Sequence, residues 1–254
     1  MTGTKRMGRS LTALVALLAA TTVVVAPQAS ASPLAGQSLP SGGQTTPVAA
    51  PAQAGLGATD YSSIFTGQNA ALAGAGWQAC ASPVQWTVDT HELSAREAAA
   101  QVKNLTWAFD QWTKASGVNF QYAGEQAVTY DDAEFSLSPA DGSSVASHHV
   151  YFDFVRAAES ARLGGGTVGL GSPSQVMPTT KEIVTGAAIF RTDHVKGATK
   201  SELRSLYLHE LGHVLGLAHA QVESNVMYPM VTDNTQLGAG DVNGVRTMTK
   251  VCGA

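Results

Sequence analysis

Residues 209–219 read His209-Glu-Leu-Gly-His213-Val-Leu-Gly216-Leu-Ala-His219, and they decide how the rest of the chain is read. The stretch leading into them opens with Thr199-Lys-Ser-Glu202, a capping box whose hydroxyl and carboxylate satisfy free backbone amides at a helix start. A helix is expected from there to about Leu215, with Gly216 as its C-terminal breaker. Histidines four apart stand one above the other on a helix, so His209 and His213 present both imidazoles to one side. Gly216 permits a chain reversal that brings His219 round as a third nitrogen. Three protein nitrogens leave the fourth tetrahedral position of a zinc ion open, the pattern of a catalytic site rather than a structural one. Glu210 lies between the ligands and points near that position, where a carboxylate can take a proton from a zinc-acidified water. The plainer reading is a surface helix with solvated histidines. It must place three histidines and a glutamate among Leu206, Leu208, Leu211, Val214, Leu215 and Leu217. Five fixed positions arise by chance in about one chain in 10^5.

Upstream, residues 83–89 (Pro-Val-Gln-Trp-Thr-Val-Asp) alternate and are β-rich, which predicts a first strand. Ser94-Ala-Arg-Glu97 is a second capping box. It opens a long helix with an apolar face of Ala98, Val102, Leu105, Phe109 and Trp112, ended by Gly117. Short strands are expected at 119–122, 149–155 and 185–192, separated by a turn-rich stretch after the first. Thr167-Val-Gly-Leu-Gly171 is glycine-rich for a central strand and reads as an edge strand that another backbone approaches closely. Residues 240–249 suggest a last short helix. Strands with helices distributed around them make an α+β domain.

The 209–219 motif, followed by Asn225-Val-Met-Tyr-Pro229, resembles the metzincin metallopeptidases, and within them the matrixins. The resemblance implies a metzincin-type zincin domain: a twisted, mostly parallel sheet, an antiparallel edge strand and an active-site helix. It implies a zinc endopeptidase with Glu210 as general base and Met227 as the methionine of a tight turn under the zinc ligands. Leu237, Asp241 and Gly244 sit where matrixins open their last helix, the aspartate tying that helix to the methionine turn. A substrate strand would add along Thr167–Gly171, past Gly169 and Leu170. Tyr228 and Pro229 would wall the pocket for the residue after the cleaved bond, and Ser205 would set its depth. Several features depart from the family pattern. The region 157–166 lacks the His and Asp of a structural zinc site, and Ile189 stands where a histidine is expected, so one zinc is expected in all. Calcium has no support, because Asp131, Asp132 and Asp141 read equally as turn residues. The Pro-Arg-Cys-Gly latency core is missing. Pro229 occupies the place of the tyrosine ligand of astacin-like enzymes. His91, His148, His149 and His194 are scattered without ligand spacing and are expected to be surface or structural residues.

Residues 1–31 read as a signal peptide. Lys5, Arg6 and Arg9 precede an apolar stretch from Leu11 to Ala26, and Ala29-Ser-Ala31 offers a cleavage site. The apolar run is shorter than a membrane span requires. Residues 32–76 read as a Pro/Gly/Ala-rich linker or pro-segment, with Tyr61, Ile64 and Phe65 as its stickier positions, and the compact domain is expected over 77–254. The two cysteines, Cys80 and Cys252, flank that domain. For an exported chain they favour a disulfide, the alternative being a Cys80 thiolate on zinc. Charged residues make up 13% of the 254, and the net charge of −4 grows more negative once Lys5, Arg6 and Arg9 are gone. That balance excludes nucleic acid and an anionic membrane surface as partners, since both need clustered Lys and Arg. The expected protein is a secreted monomer acting on a protein or peptide. The competing reading is a secreted binding or adhesion module on the same scaffold, with weak or no peptidase activity.

Overall fold

The computed structural model describes residues 15–16, 21–24, 57–66, 71–79, 83–164, 166–230 and 232–250. Both cysteines and most of the stretch read as a signal peptide lie outside these residues. In chain order the elements are β1 (Val15–Ala16), β2 (Thr21–Val24), β3 (Val84–Val88), α1 (Ala95–Ser116), β4 (Phe120–Glu125), β5 (Val128–Asp131) and β6 (Ser136–Pro139). They continue as β7 (His149–Val155), β8 (Thr167–Met177), β9 (Glu182–Arg191), α2 (Thr192–Gly197), α3 (Lys200–Val214) and α4 (Ala239–Met248).

The main sheet runs in the order β8-β9-β7-β3-β4, with β1 and β2 both pairing with β8. Strands β9, β7, β3 and β4 are mutually parallel, and β8 is antiparallel to β9. The sheet is therefore mostly parallel with β8 antiparallel toward its margin, as the metzincin resemblance implies. β7 is buried at every position, which is why it reads as an unbroken apolar run rather than an alternating one. Val150, Phe152 and Phe154 join the cluster that includes Trp86, Phe109, Trp112, Phe190 and residues of α3. Tyr151 and Val155 join a second cluster with Phe135, Leu137, Leu170 and Ile189, covered by the β5–β6 hairpin.

Both capping boxes form, at Ser94/Glu97 and Thr199/Glu202, and Gly117 ends α1 in the left-handed conformation at φ 77°. α1 holds α3 in place by two buried bonds: Trp112 Nε1–H donates to the Leu208 carbonyl at 3.0 Å, and Tyr207 donates to Gln101 Oε1 at 2.8 Å. On its other side α3 lies directly against β8. A Cβ on Gly171 would stand 2.2 Å from the Glu210 carbonyl oxygen, so the close backbone approach expected at this strand is that of the motif helix itself.

Three features go beyond the sequence reading. β8 extends to Met177, through register shifts around Pro173 and Gln175, and its outer side is paired with β1 and β2 rather than open. The stretch after β4 carries the β5–β6 hairpin. Residues 57–66 and 71–76 pack on the domain: Phe65, Ile64 and Leu72 are buried, and Ser63 bridges to Leu217. The apolar side chains of this stretch gain more from burial than their ordering costs.

The helix-to-strand contact is testable. Gly171→Ala should lower stability by about 1–3 kcal/mol, the usual cost of overpacking, because backbone rather than a flexible side chain must yield. Gly197→Ala, where a Cβ meets nothing within 4 Å, should stay within about 0.5 kcal/mol of the parent. Urea unfolding of the two variants checks the contrast.

Candidate metal centre

α3 carries His209, Glu210 and His213 in its last turns, all buried. Gly216, at φ 100°, reverses the chain, and His219 returns toward the helix. The three imidazole centroids lie 4.7, 5.2 and 4.9 Å apart, a nearly equilateral arrangement. One ligand atom from each lies within 4.8 Å of the others.

The protonation pattern follows from the hydrogen bonds. Nδ1 of His209 donates to the Val226 carbonyl at 2.6 Å, and Nδ1 of His213 donates to the Leu217 carbonyl at 2.7 Å. Each bond fixes the tautomer and leaves Nε2 as a lone pair. Those two Nε2 atoms face each other at 3.0 Å. Burial disfavours adding a proton between them, and it pushes His209 down to about 3 and His213 well below its usual value. Nε2 of His219 is buried without a partner. Three converging imidazoles, two with lone pairs and no proton between them, could hold a cation, and an all-nitrogen set suits zinc. Both carboxylate oxygens of Glu210 are likewise buried without a partner, and burial pushes the carboxyl well above the usual range.

The carbonyls that orient the imidazoles are themselves held. Met227 lies under the helix with its thioether against Gly212, where a Cβ would stand 2.2 Å from Sδ. Asp241 accepts from the backbone N–H groups of Val226 (2.8 Å), Met227 (3.2 Å) and Gly238 (2.7 Å), which ties α4 to the methionine turn as expected. A second support had no sequence signal. Asp60 accepts from the N–H groups of Gln221 and Val222 and from the Asn225 amide. Nearby, Ala218 N–H donates to the Ser62 carbonyl and Ile64 N–H to that of Gly216. A lone aspartate in an Ala/Gly-rich stretch offers no periodicity or spacing from which this strap could be read.

Other expected residues separate into two groups. Gly169 faces the centre: a Cβ there would be 2.8 Å from Glu210 Oε1. Ser205 is buried on α3, and Tyr228 and Pro229 are half-buried just past Met227. Leu170, by contrast, packs with Tyr151, Val155 and Ile189, so its side chain belongs to the second core and not to a pocket at the centre. Asp131 and Asp141 accept from nearby backbone N–H groups, as turn residues do. Asp132 is occupied by Tyr130, Ser160 and the Ala161 N–H.

A mixed sheet backed by a helix with two buried imidazoles, a third from the following loop and a methionine turn beneath defines a domain of the metzincin type. The matrixin family profile matches residues 77–249, and the chain belongs to that family. Among relatives from Arabidopsis thaliana, Metalloendoproteinase 1-MMP is 43% identical over 58 residues, 21% of this chain and 16% of that protein. Metalloendoproteinase 2-MMP is 42% identical over 48 residues, 18% of this chain and 13% of that protein. Metalloendoproteinase 4-MMP is 37% identical over 59 residues, 22% and 17% respectively. The matched stretches thus span under a fifth of these relatives.

Asp241→Asn should expose how far the centre depends on its support. An amide offers one acceptor oxygen for three N–H groups and turns an NH2 toward the rest, which should cost about 1–3 kcal/mol. The expected outcome is a lower melting temperature together with weaker zinc retention during dialysis against a chelator.

Proposed function

We propose that the protein is a secreted zinc endopeptidase in which His209, His213 and His219 hold the ion and Glu210 is the general base. The observation that carries this reading is the convergence of three imidazoles, two of them with Nε2 lone pairs face to face, beside a buried Glu210 side chain. Zinc bound there supplies Lewis acidity, polarising a carbonyl and lowering the pKa of a water. Glu210 takes the proton of the attacking water on a carboxylate oxygen and returns it to the departing amine nitrogen. The buried surroundings of His209, His213 and Glu210 keep bulk water from competing for that proton. Met227 holds the floor, and Tyr228 and Pro229 line the pocket for the residue after the cleaved bond.

The substrate lies as an extended strand along the outer side of β8. Support comes from the pairing of that side with β2, in the antiparallel register Thr21↔Gly171, Thr22↔Leu170 and Val24↔Thr167. The same amides and carbonyls can serve a peptide once residues 1–31 are removed on export. Signal-peptide composition supports secretion, and among the described residues no helix is long and apolar enough to cross a membrane. The Cys80–Cys252 disulfide is part of the reading. Support comes from the even cysteine count of an exported chain and from the parallel bridge between Gln78 and Lys250, each two residues before a cysteine.

Protein lacking residues 1–31 should cleave members of a peptide library, with products read by mass spectrometry, and a chelator should abolish the cleavage. Glu210→Gln should keep zinc and the melting temperature while lowering kcat by about 10^2–10^4, the range for a lost general base. No cleavage by the zinc-loaded parent would favour the binding-module reading. Wild-type rates in Glu210→Gln would remove Glu210 from the mechanism. Thiol titration of the unfolded, unreduced protein should find no free thiol. Cys80→Ser and Cys252→Ser should destabilise equally, by up to about 5 kcal/mol for so long a closed loop.

A further inference from the structure

The parallel pairing of β3 with β7 puts Val88 opposite Phe152, so Asp89 and Asp153 follow at the same level on adjacent strands. Both are buried, each 5% exposed. Like charges set side by side across strands repel, and here little water screens them. Asp89 is well partnered: Oδ1 accepts the His91 N–H and lies 2.9 Å from His91 Nδ1, and Oδ2 accepts the Val128 N–H at 2.9 Å. Asp153 is not, for its Oδ1 is buried with no hydrogen-bond partner. One ligand atom each from Asp89, His91 and Asp153 lies within 4.8 Å of the others. Glu92 stands beside the imidazole, its Oε1 3.4 Å from His91 Nε2, and Arg156 reaches Glu92 at 3.6 Å. The His91 side chain is 59% exposed, which opens the cluster to solvent on one side.

We propose that Asp89, His91 and Asp153 form a second cation site, distinct from the histidine triad, that takes one divalent transition-metal ion. Two carboxylates and an imidazole are a mixed oxygen–nitrogen set suited to manganese or zinc, and a divalent charge offsets the repulsion of the two buried carboxylates. The Asp153 oxygen that lacks a hydrogen-bond donor gains a partner, and the exposed imidazole closes the set from the solvent side. The ion would stitch β3 to β7 at the end from which α1 departs. The site draws on none of residues 157–166 or Ile189, and it stands whether or not the triad is catalytic. His91, which sequence spacing alone leaves as a surface residue, becomes a ligand only through the strand register.

The test uses the full chain with zinc already loaded at the triad, titrated with Mn2+ and followed by loss of the free-ion signal in electron paramagnetic resonance. One equivalent of Mn2+ should bind beyond the zinc. Asp153→Asn and, separately, His91→Ala should each weaken that uptake about tenfold or more, with zinc content unchanged. His91 is exposed, so its removal keeps the test decisive even if Asp153→Asn fails to fold. No Mn2+ uptake would overturn the site and mean that a proton, not a metal, settles the carboxylate pair. Uptake equal to the parent's in His91→Ala would overturn it as well, by placing the ion elsewhere.

Discussion

Two imidazole lone pairs facing each other at 3.0 Å, in a place from which burial excludes protons, form the constraint around which this structure is arranged. Such an arrangement is unfavourable alone and favourable around a cation, so everything nearby has to hold it against relaxation. The carbonyls of Val226 and Leu217 fix the two rings. Asp241 fixes the turn that carries the first carbonyl, and the strap of residues 60–64 fixes the loop that carries the second. Each support is a hydrogen bond to backbone, which sets position more sharply than apolar packing can. The imidazoles are thus placed by turns that would have no reason to be so rigid in a merely buried helix.

Much of this was legible in the sequence because its signals are local. Ser94/Glu97 and Thr199/Glu202 mark helix starts within four residues, and Gly117 and Gly216 mark reversals. The histidine spacing needs only the helical pitch. What was not legible depends on distant partners. The β5–β6 turn passes through Phe135 at φ 49°, a left-handed position without the Asn-Gly or Asp-Gly that usually announces a hairpin. β8 continues past Pro173 because its register shifts there, and a strand with Gly and Pro reads as ending early. The facing of Asp89 and Asp153 exists only in the β3–β7 register. The face that the Leu170 side chain occupies is settled only by its packing with Tyr151 and Ile189.

The family profile begins at residue 77, yet the chain is already packed at residue 57. The difference has a physical meaning. Trp77 donates to the Val214 carbonyl at 2.9 Å and so holds the end of the motif helix. The upstream strap acts one step further on, at residues 216–225, through Asp60 and through Phe65 packed on Gly216. With few charged residues available, this chain fastens the His219 loop by backbone hydrogen bonds and one aromatic ring rather than by ion pairs. Removing residues 57–66 would leave the triad's helix intact and its third imidazole on a longer, less restrained loop.

The glycines of β8 join the sheet to the chemistry. Gly169 and Gly171 have no side chain to keep α3 away, so Glu210 lies against the strand at distances no Cβ would tolerate. A larger residue at either position would push the helix outward, and two of the three imidazoles with it, since His209 and His213 ride on that helix. That closeness also determines what a peptide paired with the outer side of β8 would meet. On the reading proposed here its main chain runs one strand spacing, about 4.8 Å, from a strand that itself touches Glu210. The scissile carbonyl is then delivered by backbone pairing alone, while side-chain pockets choose only which residue follows it.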